Sequence, residues 1–242
     1  MKTTKTKGNF HQTLAPLLFL LPNILIFTTF IIIPLFRGLS MSFMDWGVFT
    51  SPKFVGLKNF LLLFKDQVFI ITLKNTIVYS ICAVLLLLVV SLLLALALSK
   101  NSIKGERMFR AVFYIPSLIS MVAVGISWRF ILGDEMGILN YVIRSLGGAR
   151  IPWLTNGPMA MMSVIAVTVW AGAGYYMVIF ISGLQAIPLE LYEAATIDGA
   201  NRWQEFWRIT LPLLKSTVLV VIVLSTIASF KAYELIVTMT KG

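Results

Sequence analysis

The 242-residue chain is 58% hydrophobic and 12% charged, with a formal net charge of +10. Those proportions belong to a polytopic membrane protein and exclude a soluble enzyme. The basic residues lie in short stretches between apolar runs, which suits an anionic membrane surface better than nucleic acid. The lone Cys82 and lone His11 leave no disulfide framework and no Cys/His metal site within the chain.

Residues 1–13 form a polar tail with Lys2, Lys5 and Lys7. The uncharged run 14–36 is longer than a signal-peptide apolar core and ends in no small-x-small cleavage site. It is long enough to cross a hydrocarbon layer of ~30 Å, and Pro22 and Pro34 are expected to kink or end it. Residues 37–74 read as a mixed loop in which Trp46, Phe54 and Phe60 fit an interfacial belt and residues 57–64 an amphipathic surface stretch. A second span is expected at 75–99, where Ser91, Ala95 and Ser99 make a small-x-x-x-small edge for close helix contact. A basic stretch with Lys100, Lys104, Arg107 and Arg110 leads to a third span at 111–132. That span contains Pro116, and Arg129 near its far end is placed to extend its charged head outward.

A turn-rich loop follows, then a fourth span at 159–184 and a fifth at 213–230, bracketed by Lys215 and Lys231. Lys231 and Glu234 have the spacing of an i, i+3 ion pair. The pattern predicts an all-α fold with five spans. The 20 Lys and Arg divide evenly between the two sides, so the positive-inside rule favours an inside N-terminus by density alone. With the tail inside, four spans place residues 185–212 inside as well.

Residues 185–212 are the longest polar interruption and read as two short helices joined by a tight turn. Pro188 suits a first helical position, and Glu190 and Glu193 in the first turns match the helix dipole. Gly199 supplies a left-handed stop, and Asn201 with Gln204 three residues on forms a capping box. Trp203, Phe206, Trp207 and Thr210 share one face by helical spacing, and Arg202, Glu205 and Arg208 share another as a charge ladder. No P-loop sequence is present, and Gly172-Ala173-Gly174, with no third glycine in register and no preceding strand, reads as a close-packing helix surface.

Glu193-Ala194-Ala195, then Gly199, Ile209, Leu211 and Pro212, stand at the spacing E-A-A-x3-G-x9-I-x-L-P. This resembles the EAA loop of ABC-importer permeases, and every fixed position matches. The resemblance extends along nearly the whole chain, through Leu21-Pro22, Asp45-Trp46, Val55-Gly56-Leu57-Lys58-Asn59-Phe60, Gly137-Ile138-Leu139-Asn140 and Trp153-Leu154. It is closest to the first permease of maltose-type and glycerol-3-phosphate-type carbohydrate-uptake systems. Members similar to this have six core helices, so a final helix beyond Thr240-Lys241-Gly242 is expected to be missing.

The resemblance implies a multi-pass protein of the bacterial inner membrane, itself not an enzyme and without a cofactor. It implies a second permease, two copies of a cytoplasmic ABC ATPase and an extracytoplasmic solute-binding protein as partners. It assigns Glu193, Ala194, Ala195, Asp198, Gly199, Ile209, Leu211 and Pro212 to ATPase coupling. For the solute path, Trp170, Tyr175 and Tyr176 offer aromatic faces on which sugars stack, and Ser225 and Ser229 offer hydroxyls. Asn23 and Asn75 are further polar candidates. A sugar or oligosaccharide is the expected solute and glycerol 3-phosphate the alternative. A secondary transporter or channel would call for intramembrane carboxylates, which the first four spans lack. A membrane enzyme would call for a cluster of His, Asp or Cys at one depth, also absent from the sequence pattern.

Overall fold

The computed structural model describes residues 10–47, 51–99 and 105–241, and of residues 10–17 the backbone alone. The tail lysines Lys2, Lys5 and Lys7, and Lys100 and Lys104, lie outside the described residues. The chain divides into two compact units, residues 1–73 and 74–242.

In the first unit, helix α1 (Phe10–Phe27) passes through a π-helical turn (Thr28–Ile32) into α2 (Ile33–Met41). The helix therefore outruns the expected end at 36, and Pro34 does not stop it. Proline lacks an N–H and crowds the carbonyl four residues back. The wider π turn, in which the Ile33 N–H donates to the Thr28 carbonyl, takes up that misfit. Two-residue strands β1 (Met44–Asp45) and β2 (Lys53–Phe54) pair antiparallel, Met44 opposite Phe54. Helix α3 (Lys58–Leu63) is tied to β1 by Asn59, whose amide donates to the Ser42 and Met44 carbonyls at 3.0 Å each. The Phe43 and Phe60 rings lie 5.4 Å apart beside it.

Helix α4 (Gln67–Leu98) starts well before the expected 75 and runs into the second unit. Its start signal is Asp66, whose Oδ1 accepts the Val68 N–H at 2.9 Å. Lys74, placed at the end of the loop by its charge, is an exposed helical residue. Ser91 and Ala95 are fully buried, in keeping with the small-residue edge.

The third segment is not one straight helix. α5 (Glu106–Tyr114), a 3₁₀ turn (Ile115–Leu118) and α6 (Met121–Ile131) form a pair bent by 97°. Pro116 sits in the 3₁₀ turn, and Ile119 and Ser120 are extended, with ψ of 139° and 134°. The turn-rich loop contains α7 (Ile138–Ser145). α8 (Gly157–Gln185) is the central helix; its buried residues join both apolar clusters, one with Tyr79, Val124 and Leu235, the other with Leu87, Ala95 and Val221. Its glycines permit close contact, with backbone at Gly174 and with side chains at Gly183. A Cβ on Gly174 would lie 1.9 Å from the Phe113 carbonyl oxygen, and one on Gly183 2.4 Å from Thr217 Oγ1.

The polar loop holds α9 (Leu189–Ile197), α10 (Arg202–Glu205), a π turn (Phe206–Thr210) and α11 (Leu211–Leu213). The chain bends by 65° into α12 (Lys215–Phe230), and α13 (Tyr233–Thr240) packs beside α6. α13 was not expected; Leu235 and Met239 bury against Val124. Among the described residues three helices are long and apolar enough to cross a membrane, and counting each bent pair as one span gives up to five.

Candidate functional site

The loop after α8 is built by local rules. Pro188 stands just before α9, one position earlier than expected, and Glu190 lies in the first turn. The helix ends at Gly199, φ +76°, where the Gly199 N–H donates to the Thr196 carbonyl at 3.1 Å and the Ala200 N–H to the Ala195 carbonyl at 2.9 Å. This pair of bonds is a Schellman stop, which needs the left-handed residue. Two residues later the capping box forms. The Gln204 N–H donates to Asn201 Oδ1 at 3.0 Å, and the Asn201 N–H to Gln204 Oε1 at 2.9 Å. Glu193, Ala194 and Asp198 are exposed and Ala195 is half-buried, so the short helix presents its acidic side chains outward.

The second helix departs from the expected faces. Trp203, Phe206 and Trp207 do cluster, with ring centroids 5.3–6.5 Å apart. Thr210 does not share the exposure of the two tryptophans, because the π turn, with its extra residue, sets the helical phase back; it is 5% exposed and faces inward. There its Oγ1 lies 2.9 Å from the Tyr192 hydroxyl and donates to the Glu205 carbonyl at 3.3 Å. The Arg202–Glu205–Arg208 ladder forms no ion pair within 4 Å. Ile209 and Leu211 are half-buried, and Pro212 lies in the first turn of α11. A cleft of about 810 Å³ opens between the ends of α4 and α8 and these short helices, with Glu193, Arg202 and Glu205 on its wall.

A second cavity, about 270 Å³, lies deeper, among α4, α8 and the break between α12 and α13. Of the solute-path candidates it gathers Tyr176, Ser225 and Ser229. Trp170 and Tyr175 are not on its wall: Trp170 stacks edge-on against Trp128 at 5.4 Å, and Tyr175 lies beside Tyr176 with its ring partly exposed. Asn23 and Asn75 are exposed elsewhere. The cavity adds a pair the sequence reading missed, Tyr79 and Thr168, whose hydroxyls meet at 2.9 Å. The one available signal was a tyrosine inside an uncharged run. Lys231 and Glu234 both line the cavity but do not pair within 4 Å, because Lys231 ends α12 and breaks the helical spacing. Among the described residues no cluster of His, Cys, Asp or Glu could hold a metal ion.

Residues 88–242 match the family described as binding-protein-dependent transport system inner membrane component. The chain is 36% identical over 228 residues to the probable ABC transporter permease YurN of Bacillus subtilis (strain 168), covering 93% of this chain and 78% of that one. It is 34% identical over 237 residues to the sn-glycerol-3-phosphate transport system permease UgpA of Agrobacterium fabrum, covering 96% and 80%. Among solved structures it superposes on a bacterial alginate ABC transporter in complex with alginate pentasaccharide-bound periplasmic protein. The TM-score is 0.79 at 28% identity, over 93% of this chain and 80% of that one.

Proposed function

This chain belongs to the binding-protein-dependent transport system inner membrane component family, and from that membership we propose how it moves its solute and what that solute is. It is a multi-pass inner-membrane permease subunit, a transport component and not an enzyme. In our reading it supplies half of the translocation path and works with a second permease, two cytoplasmic ATPase subunits and an extracytoplasmic binding protein. Its N-terminus and the 185–212 loop lie on the cytoplasmic side.

The observation that carries the coupling role is the stiffness of that loop. A Schellman stop at Gly199 and a capping box at Asn201 fix two helices at a set angle. The Tyr192–Thr210 contact ties the first helix to the chain leading into α12. Force applied at Glu193 would therefore pass into α12, and with it to Ser225 and Ser229 in the inner cavity. Glu193 is the charged contact for a basic ATPase residue, a charge-assisted bond. Ala194, Ala195, Asp198, Ile209, Leu211 and Pro212 shape the seat.

The inner cavity is the half-site for solute. It sits where α12 breaks before α13, and broken helices near the midplane are where transporters bind their cargo. At about 270 Å³ it falls below the ~300–1,000 Å³ of ordinary ligand pockets. A partner permease would complete it. Its hydroxyls favour a polyol, and the resemblance to an alginate transporter favours a sugar or oligosaccharide. Glycerol 3-phosphate is the second reading, favoured by the UgpA relative and by Lys231 on the cavity wall. The test is purification of the chain with its partners followed by reconstituted uptake. An ATPase should co-purify, and labelled oligosaccharide should enter on ATP addition only with binding protein present. Uptake of solute by the chain without any ATPase would defeat the reading.

A further inference from the structure

Between α6 and α8 the chain builds a small rigid platform. Asn140, 1% exposed, donates to the carbonyls of Asp134 at 3.1 Å and Ile151 at 2.9 Å, and its Oδ1 accepts the Ile151 N–H at 3.0 Å. The buried Asp134 carboxylate accepts the Leu154 N–H at 3.1 Å and the Thr155 hydroxyl. These bonds, with Leu139 packed into the core, fix the inner face of α7. The outer face is apolar: Ile138, Tyr141, Val142 and Leu146 follow helical spacing, and Ile138, Tyr141 and Leu146 are 61%, 75% and 83% exposed.

Two observations say what covers this face. The first is its place. α7 follows the end of the bent third span and precedes α8, whose 29 residues rise ~43 Å. It therefore lies where the spans leave the hydrocarbon, at the end opposite the 185–212 loop. Ile126 and Phe130 of α6 are exposed as well. The second is its chemistry. Arg144 flanks Tyr141 three residues on and has no carboxylate within 4 Å among the described residues, whereas Glu135 is engaged with Arg150 at 3.9 Å. An apolar stripe with an aromatic and a free cation at its edge matches the boundary between acyl chains and phosphate headgroups.

We propose that α7 is a membrane-surface anchor, its Ile138–Tyr141–Val142–Leu146 stripe seated in the phospholipid headgroup–acyl boundary and Arg144 directed to lipid phosphate. The anchor holds the extramembrane ends of α6 and α8 at fixed depth.

The test uses the protein in proteoliposomes of phosphatidylethanolamine and phosphatidylglycerol. Cys82→Ser removes the native cysteine, and Tyr141→Cys, Leu146→Cys and Glu135→Cys, made one at a time, carry an environment-sensitive fluorophore. Labels at 141 and 146 should emit to the blue of the label at 135. They should lose about half their emission to a spin label on the upper acyl chain and little to aqueous iodide. Adding binding protein should leave them unchanged. Iodide quenching at 141 and 146 equal to that at 135 would overturn the anchor. So would quenching by iodide that binding protein relieves, which would make the face a protein-docking surface.

Discussion

The Tyr192 hydroxyl lies 2.9 Å from Thr210 Oγ1, and the Thr210 oxygen in turn reaches the Glu205 carbonyl. One contact joins the helix that carries Glu193 to the π turn that feeds α12. Tyr192→Phe should therefore weaken coupling while leaving the fold intact, since a single neutral hydrogen bond contributes ~0.5–1.5 kcal/mol. Thr210→Val should cost more, because it also leaves the Tyr192 hydroxyl without its partner. The double variant should fall short of the sum of the two. ATPase stimulation per transported solute, measured for all four proteins, checks this.

Gly199→Val tests the turn. No atom lies within 4 Å of an added Cβ, so the cost is conformational and not steric crowding. At φ +76° a branched side chain costs roughly 1–2 kcal/mol or more. Uptake should drop strongly while the protein still inserts and resists proteolysis, and a suppressor should arise in the ATPase. Gly199→Asn, which tolerates the left-handed region, should retain more uptake than Gly199→Val.

Gly174→Leu should behave differently. Its Cβ would meet the Phe113 carbonyl at 1.9 Å and the Tyr114 nitrogen at 2.8 Å, both backbone atoms that cannot move aside alone. The expected result is loss of folded protein, well beyond the ~1–3 kcal/mol of ordinary overpacking. Membrane abundance and thermal unfolding in detergent read it directly.

Lys231→Gln separates the two solute readings. Lys231 is the cation on the inner cavity wall and Glu234 does not neutralise it by contact. If the solute is a neutral sugar, uptake should persist within about threefold; a phosphate-bearing solute would lose a charge-assisted bond of about 1.5–3 kcal/mol, a tenfold or greater drop. Competition between labelled oligosaccharide and glycerol 3-phosphate in the variant distinguishes them.

The parts legible in the sequence are those governed by neighbours along the chain. Gly199, Asn201 and Gln204 act within a few residues of one another, so their stop and cap could be read from spacing. Thr210 was misplaced because a π turn adds a residue to the helical repeat, and nothing in FWRIT announces it. Charge misled at α4. Lys74 looked like the end of a loop, although Asp66 had already capped the helix. The third span has the apolar length to fit a membrane with Pro116 inside it, but nothing in that length announces that the chain turns by 97° just after the proline. Tyr79 and Thr168, far apart in sequence, meet only once α4 packs on α8. The same holds for α13, a short helix whose burial depends on Val124 of α6.

The proposed coupling turns on Glu193. It is exposed on α9, on the wall of the outer cleft, with no ion pair within 4 Å among the described residues. Its proposed partner is a basic residue of the ATPase. The decisive measurement is binding-protein-stimulated ATP hydrolysis and uptake by Glu193→Lys in proteoliposomes holding the assembled transporter. Charge reversal turns a contact of about 1.5–3 kcal/mol into repulsion, so both activities should fall together at unchanged subunit abundance. Solute-stimulated hydrolysis and uptake at the unsubstituted level would contradict the assignment of this loop to coupling.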